Sequence, residues 1–358
     1  MVWAIPFVTL FVGLGYGILF WFIAKISDFT VGYCTSITPK KNLFKWSCQG
    51  TTSDIISLTI KAVGLLLLGY IHPFGFDWLK PELVFIESYL GIEKWQFATV
   101  LSALVLSIWK KQSLYLLLIL LAYQPAIERM QSSTKNIQIV TTHTTVEDKW
   151  NTSRHTAQFE KLFASIDKAI DNNKTLIILP ESVFPVFINH SQSLIDKLQA
   201  KANHISIVTG GLYWDGKTPR NSTYIFTKGK VTVANKVVLV PFGERNPLPD
   251  FLSDWVNKIF YDGAVDYKAS KDVMNYTING ITYRNAICFE ATSERLYTKD
   301  KQGNYPKNMI VLSNNGWFTP SIEPTLQKLL LQYYSKKYGT TIYHSVNMSE
   351  SYVIEGRY

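Results

Sequence analysis

Apolar residues are distributed along this 358-residue chain in two unlike ways. As far as about residue 125 they come in long, nearly uncharged runs. From residue 135 onward they come in short bursts or at regular spacings broken by turn residues. The first run, residues 3–25, carries no charge until Lys25. Roughly 20 apolar residues cross the hydrocarbon core of a bilayer, so this run predicts a transmembrane helix. A cleaved secretion signal would begin with a basic segment, and Met1-Val2-Trp3 has none. Residues 55–72 predict a second span, with Lys61 reaching for the interface. Residues 92–109 predict a third. Residues 113–125 predict a fourth, although that run is short; a single helical hairpin lying partly in the interface is the alternative for the last two. Residues 1–125 therefore read as a helical transmembrane region of about four spans.

Residues 135–358 follow the rhythm of a soluble α/β protein. Apolar positions Phe159, Leu162, Phe163, Ile166 and Ile170 recur at helical spacing within 154–172. Thr175–Pro180 is a short continuous apolar run, the pattern of a strand buried on both faces. A second helix is predicted over 191–203 and another over 324–338. Strands are expected at 136–144, 204–214, 281–289, 308–314, 341–346 and 351–358. A hairpin turning at Lys228-Gly229 is expected within 222–236. Hairpins mixed with strand–helix units suggest a layered α/β sandwich rather than a purely doubly wound sheet.

Composition sharpens this division more than it adds to it. The averages, 47% hydrophobic and 18% charged, conceal the two halves. The net charge of +9 divides into +3 for residues 1–134 (10 basic against 7 acidic) and +6 for the rest (26 against 20). No basic run is interleaved with aromatics, so a nucleic-acid partner is not expected. Charge does orient the membrane part. Lys40, Lys41 and Lys45 lie between the first two runs, and Lys110 and Lys111 follow the third. Residues 73–91 hold Lys80 against Asp77, Glu82 and Glu87. Short cytoplasmic loops are the ones rich in Lys and Arg, which places residues 73–91 and the domain after 125 outside. Three cysteines, Cys34, Cys48 and Cys288, cannot all pair. The six histidines have no metal-ligand spacing, and neither a metal nor a cofactor is expected.

Three strand ends carry reactive groups, and active residues of α/β folds gather just past the carboxyl ends of strands. Glu181 follows the buried run 175–180, Lys236 follows the strand ending at Asn235, and Cys288 stands late in an apolar strand. A thiolate is a strong nucleophile, a carboxylate can take the thiol proton, and an ammonium can stabilise the oxyanion of the adduct. Each residue alone has an ordinary reading, as a small core side chain, a solvated turn or a surface lysine. Spacing does not bring them together.

The strings around them do suggest a grouping. FGFDWLKPE, QIVTTHTTVEDKW, LPESVFP, NKVVLVPFGERNPLP, ICFEA and LSNNGWF resemble, in order, segments of the carbon–nitrogen hydrolase (nitrilase) superfamily, and most closely its membrane branch, the bacterial apolipoprotein N-acyltransferases. The resemblance implies a nitrilase-like α-β-β-α sandwich behind the membrane region. It implies Glu181 as general base, Lys236 as catalytic lysine and Cys288 as nucleophile, supported by Glu244 and Glu290. Phe289, Asn314, Trp317 and Phe318 would shape the acyl pocket. The implied reaction moves an acyl chain from a phospholipid, through a Cys288 thioester, to the N-terminal amine of a diacylglyceryl-modified lipoprotein. The implied location is the bacterial inner membrane, with the catalytic domain on the periplasmic side. A membrane-tethered amidase with the same three residues, or a truncated inactive relative, are the alternatives. Against that branch's usual pattern the chain looks shortened at both ends, and Tyr334 and Lys337 stand near positions where the branch carries an arginine and a glutamate.

Overall fold

The computed structural model describes residues 10, 13–25, 51–72, 75–125, 134–246, 266–318 and 320–356. The expectations for residues 3–9, for the loop 26–50 with Cys34 and Cys48, and for the boundary 128–133 lie outside them. The chain divides into two compact units, Met1–Ala126 and Ile127–Tyr358.

In the first unit residues 13–25 are helical. Helix α1 spans Thr51–Leu68 and α2 spans Lys94–Lys110. Glu93 and Gln96 close a capping box at the start of α2, where Gln96 Oε1 accepts from the Glu93 N–H at 3.1 Å. Lys111, in the left-handed conformation at φ 51°, ends it. Two acidic residues between α1 and α2 are tied to cations: Glu82, fully buried, pairs with Lys94, and Asp77 pairs with Lys80. Among the described residues no helix is long and apolar enough to cross a membrane. Within the run expected as a short fourth span, Ser113–Ala122 is a ten-residue 3-10 helix. At about 2 Å per residue it reaches about 20 Å, short of a bilayer core of about 30 Å. It folds back along α2 as the second arm of a hairpin. Gly91 N–H donates to Ala122 C=O at 2.8 Å, and Gln124 N–H donates to Tyr89 C=O at 2.8 Å. Leu90 and Tyr123 are thus bridged, and the hairpin starts and ends at one place. Leu104, Ile108, Leu114, Leu117, Leu120 and Leu121 are all exposed on it.

The second unit is built on two sheets. The first runs in the order β1 (Ile137–Ile139), β2 (Leu176–Ile178), β4 (Ser206–Trp214), β5 (Pro219–Thr227) and β6 (Lys230–Asn235), with β3 (Phe184–Phe187) paired to the far half of β4. The second runs β11 (Tyr352–Ile354), β10 (Thr341–Asn347), β9 (Asn308–Asn314), β8 (Ile281–Ile287) and β7 (Asn275–Ile278). Residue alternation sets the layers. Leu176, Ile178, Val208 and Ile225 point toward the second sheet and pack with Ile278, Tyr283, Ile310, Leu312 and Tyr343. Their neighbours Ile177, Leu179, Ile207, Tyr224 and Phe226 point the other way. They pack against Leu162, Ile166 and Ala169 of α4 (His155–Asp171) and Leu194 and Leu198 of α5 (Gln192–Lys201). Helix α6 (Glu323–Tyr338) covers the outer face of the second sheet through Leu330, Leu331 and Tyr334. The architecture is therefore α-β-β-α. A short helix α3 (Val146–Trp150) lies between β1 and α4.

Two-residue hairpin turns join β5 to β6 and β7 to β8. Both central residues have positive φ: 48° and 71° at Lys228-Gly229, 50° and 81° at Asn279-Gly280. That geometry matches the right-handed twist of the flanking strands. The first turn falls where expected. Strand β7 was not anticipated, although Asn-Gly between apolar alternations is a strong hairpin signal.

Candidate active site

Glu181 stands three residues beyond β2 and is 8% exposed. Backbone pairing carries the chain to it: Leu179 N–H donates to Val208 C=O at 2.8 Å, and Gly210 N–H donates to Pro180 C=O at 3.3 Å. Residue 210 must be glycine, because a Cβ there would lie 2.5 Å from Ser182 N and 2.7 Å from Glu181 Cα. Ser182 completes the sharp exit at φ 48°. The Glu181 carboxylate accepts from Asn221 Nδ2 at 2.7 Å, and its main-chain carbonyl accepts from the buried Lys149 Nζ at 3.3 Å.

Lys236 is the residue after β6 and is 1% exposed. Its N–H donates to Asn221 C=O at 3.0 Å, which continues the β5–β6 ladder by one step. Its ammonium lies 2.8 Å from Glu244 Oε2. Asn221 Nδ2 also donates to Glu244 Oε1 at 2.9 Å, so one amide at the head of β5 ties both carboxylates together.

Cys288 is the residue after β8, on the other sheet, and is buried as a free thiol. It adopts a left-handed backbone at φ 54°. That conformation costs a non-glycine residue on the order of 1 kcal/mol and gathers at functional positions. Glu290 holds the turn in place. Its Oε1 accepts from Ile287 N–H at 2.8 Å, and its Oε2 accepts from Val237 and Val238 N–H at 2.7 and 3.1 Å. One buried carboxylate therefore clamps the segment before Cys288 to the segment after Lys236.

The electrostatics follow from burial opposed by these pairs. Burial pushes the Cys288 thiol well above its ordinary range. The Glu181 charge adds to that, while Lys236 and a backbone hydrogen bond from Asn314 oppose it. The sulfur rests as a thiol. Burial also raises Glu181, against the pull of Lys236. Burial alone would lower Lys236, but Glu244 and Glu181 outweigh it and keep the ammonium charged. Burial raises Glu290 to about 7 despite its three donors. A neutral thiol beside a carboxylate and a fixed cation is an arrangement that can generate a nucleophile by proton transfer.

The structure brings Glu181, Lys236, Cys288, Glu244 and Glu290 together across the two sheets. Asn314 is also there, but as a turn builder: its Oδ1 accepts from Asn347 Nδ2 at 2.6 Å and from Gly316 N–H at 3.3 Å. Phe289 is buried, Phe318 is half-buried and Trp317 is 50% exposed. Residues 247–249 of the lysine-bearing string lie outside the described residues. Sequence reasoning missed Asn221, Tyr267 and Glu323, and noted Lys149 only as part of the string QIVTTHTTVEDKW, with no role. Lys149 is lowered to about 8 by burial, against the charges of Glu181 and Cys288. The Tyr267 phenol is pushed up to about 12 by burial, then by Glu244 and Glu181. Among the described residues no group of three or more metal-ligating side chains is arranged to hold an ion.

A sheet-on-sheet α/β unit with cysteine, glutamate and lysine at facing strand ends is the build of a carbon–nitrogen hydrolase. Within that class, the chain belongs to the apolipoprotein N-acyltransferase family. It is 40% identical over 305 residues to the apolipoprotein N-acyltransferase of Wolinella succinogenes, covering 82% of this chain and 71% of that one. It is 35% identical over 292 residues to that of Helicobacter pylori, covering 80% and 68%. The family model for the apolipoprotein N-acyltransferase integral membrane domain matches residues 1–127. Among solved structures, a CN-hydrolase superfamily protein from Xanthomonas campestris aligns at a TM-score of 0.46 and 15% identity, over 61% of this chain and 82% of that one. Family membership makes the chain an acyltransferase and a membrane protein.

Proposed function

We propose that Cys288 takes a fatty acyl chain from a phospholipid and passes it to the α-amine of a diacylglyceryl-modified cysteine at the N-terminus of a lipoprotein. The observation that carries this reading is the strained Cys288 turn, set by Glu290 against a charged Lys236 and a basic Glu181. In the first half, Glu181 takes the thiol proton as sulfur attacks the ester carbonyl. Lys236 stabilises the oxyanion, a contribution of typically 10²–10³ in rate. The C–O bond breaks, Glu181 returns the proton to the departing alcohol, and the thioester remains. In the second half the amine attacks the thioester, the C–S bond breaks, and the proton released by nitrogen returns to sulfur through Glu181. Trp317 and Phe318 line the acyl chain and help keep water from the thioester.

A lipid donor needs an enzyme held at the bilayer, and the outward leucines of the α2 hairpin supply an apolar face for it. The lysines at 40, 41, 45, 110 and 111, against the acid-rich stretch 73–91, support an outward-facing catalytic unit in the inner membrane.

The test is intact mass after incubation with phospholipid vesicles. The wild-type protein gains the mass of one acyl chain, and Cys288→Ala gains none. An adduct on both proteins, or on neither, refutes the assignment.

A further inference from the structure

Acylation uses Glu181, Lys236 and Cys288, and leaves a second polar group beside them unemployed. Glu323 and Gln327 stand one turn apart at the start of α6, 9% and 0% exposed. Among the described residues, Glu323 Oε2, both amide atoms of Gln327 and the Tyr352 hydroxyl are buried with no hydrogen-bond partner. Helix α6 packs against the Cys288–Thr292 turn and against β11, which sets this group beside the nucleophile, and the Glu323 charge acts on both the Cys288 thiol and Tyr352. Tyr352 is held in place by an edge contact with His344, the ring centroids 4.9 Å apart. Buried polar atoms in folded proteins nearly always find partners. Four without one beside a nucleophile mark where a polar part of a substrate fits.

The chemistry of the four atoms selects that part. Glu323 Oε2, Gln327 Oε1 and the Tyr352 oxygen are three acceptors, one of them charged. A primary ammonium offers three N–H donors and no acceptor. A phosphate would meet the Glu323 carboxylate with like charge, and an ester oxygen would bring these acceptors no donor. Gln327 Nε2 is left to donate to a carbonyl one residue along a peptide. We propose that Glu323, Gln327 and Tyr352 form the subsite that receives the α-ammonium of the acyl acceptor, a proposal that rests on the acyltransferase reading above.

The subsite also prepares the amine to react. An ammonium has no lone pair, and an α-amine ordinarily titrates at about 7.7–8. Burial, with Glu181 nearby, raises the Glu323 carboxyl to about 7, close enough for it to take one proton from the bound ammonium. The neutral amine then attacks the Cys288 thioester, the C–S bond breaks and the amide C–N bond forms. The second nitrogen proton passes through Glu181 to the leaving sulfur, and the proton on Glu323 returns to water. Atoms and charge balance with no further reactant.

The experiment loads the full-length wild-type protein and Glu323→Gln to completion with phospholipid, removes the donor, and follows discharge of the thioester by intact mass. One arm uses a diacylglyceryl-cysteinyl peptide and the other uses hydroxylamine, a small nucleophile that is neutral at pH 7. Loss of a charge-assisted bond predicts discharge by the peptide about 10- to 100-fold slower in Glu323→Gln, with a higher half-saturating peptide concentration. Hydroxylamine discharges both proteins within about twofold, and Glu323→Asp recovers part of the peptide rate. Equal peptide rates and half-saturation in wild type and Glu323→Gln overturn the proposal. So does a variant that cannot be loaded, or one slowed equally toward hydroxylamine, because the side chain would then serve acylation or folding. A wild-type protein that takes up no acyl mass refutes the acyltransferase reading itself, and the subsite falls with it.

Discussion

Gly210→Ala is the substitution that most cleanly moves the base without touching its side chain. The new Cβ would lie 2.5 Å from Ser182 N, 2.7 Å from Glu181 Cα and 3.0 Å from Glu181 C, where ordinary contact begins at 3.4 Å. All three atoms are backbone, so no rotamer change relieves the clash. The chain at 181–182 must retreat by about 0.9 Å, the difference between 3.4 and 2.5 Å. Retreat strains the 2.7 Å bond from Asn221 and the 3.3 Å bond from Lys149 that fix Glu181. Overpacking of this kind costs about 1–3 kcal/mol of stability. A misplacement of about 1 Å at a reacting group costs on the order of 10² in rate. The neighbouring Gly211→Ala is the control. Its Cβ meets the buried Ile188 side chain rather than the 181–182 backbone, so the clash falls on the core and not on the base. Single-turnover acylation, read by intact mass and paired with thermal melts, should show Gly210→Ala slower by about a hundredfold. Gly211→Ala should lose stability yet acylate within a few-fold of wild type. A folded Gly210→Ala that acylates at the wild-type rate would refute the view that backbone approach to β4 sets the base.

Other expectations follow from the same geometry. Glu290→Gln turns an acceptor toward only one of the two backbone segments that Glu290 joins and sets an amide N–H against the donors of the other. Melts should show a loss of about 2–4 kcal/mol, with acylation reduced because Cys288 and Lys236 are no longer clamped. Burial raises Glu323 to about 7, so folding holds its proton more tightly than the unfolded chain does. Its cost to stability is absent below about pH 4.5 and grows as pH rises toward 7. Glu323→Gln should therefore gain on wild type across that window by up to about 3 kcal/mol; a gain that shrinks with rising pH would contradict the sign. Reporter fusions after Ser47 and after Lys135 should give opposite signals, cytoplasmic and periplasmic, and equal signals would overturn the topology.

Much of the fold was legible because burial on both faces leaves a plain pattern. The run 175–180 and the spacing of Phe159, Leu162 and Ile166 gave β2 and α4 almost to the residue. Strand β3 was not legible, since Pro185 within four residues reads as a break and the strand forms by pairing with the far half of β4. The run 113–125 left a span and a hairpin arm open, because composition does not record that α2 offers a surface for it to fold back on. The site was legible only through its strings. Asn221 joins two carboxylates lying 40 and 23 residues away, and nothing local distinguishes it from any other polar residue in a strand. Glu323 and Gln327 look like an ordinary solvated face of a helix, and only packing against the second sheet buries them.

The central claim, transfer through a water-resistant Cys288 thioester, is tested most directly by the fate of the loaded enzyme. After loading with phospholipid and removal of donor, the account predicts an acyl mass that persists in buffer for the length of the assay. Addition of the diacylglyceryl-cysteinyl peptide should then move that mass onto the peptide amine. Rapid release of free fatty acid with no peptide present would contradict it and make the chain a membrane-tethered hydrolase.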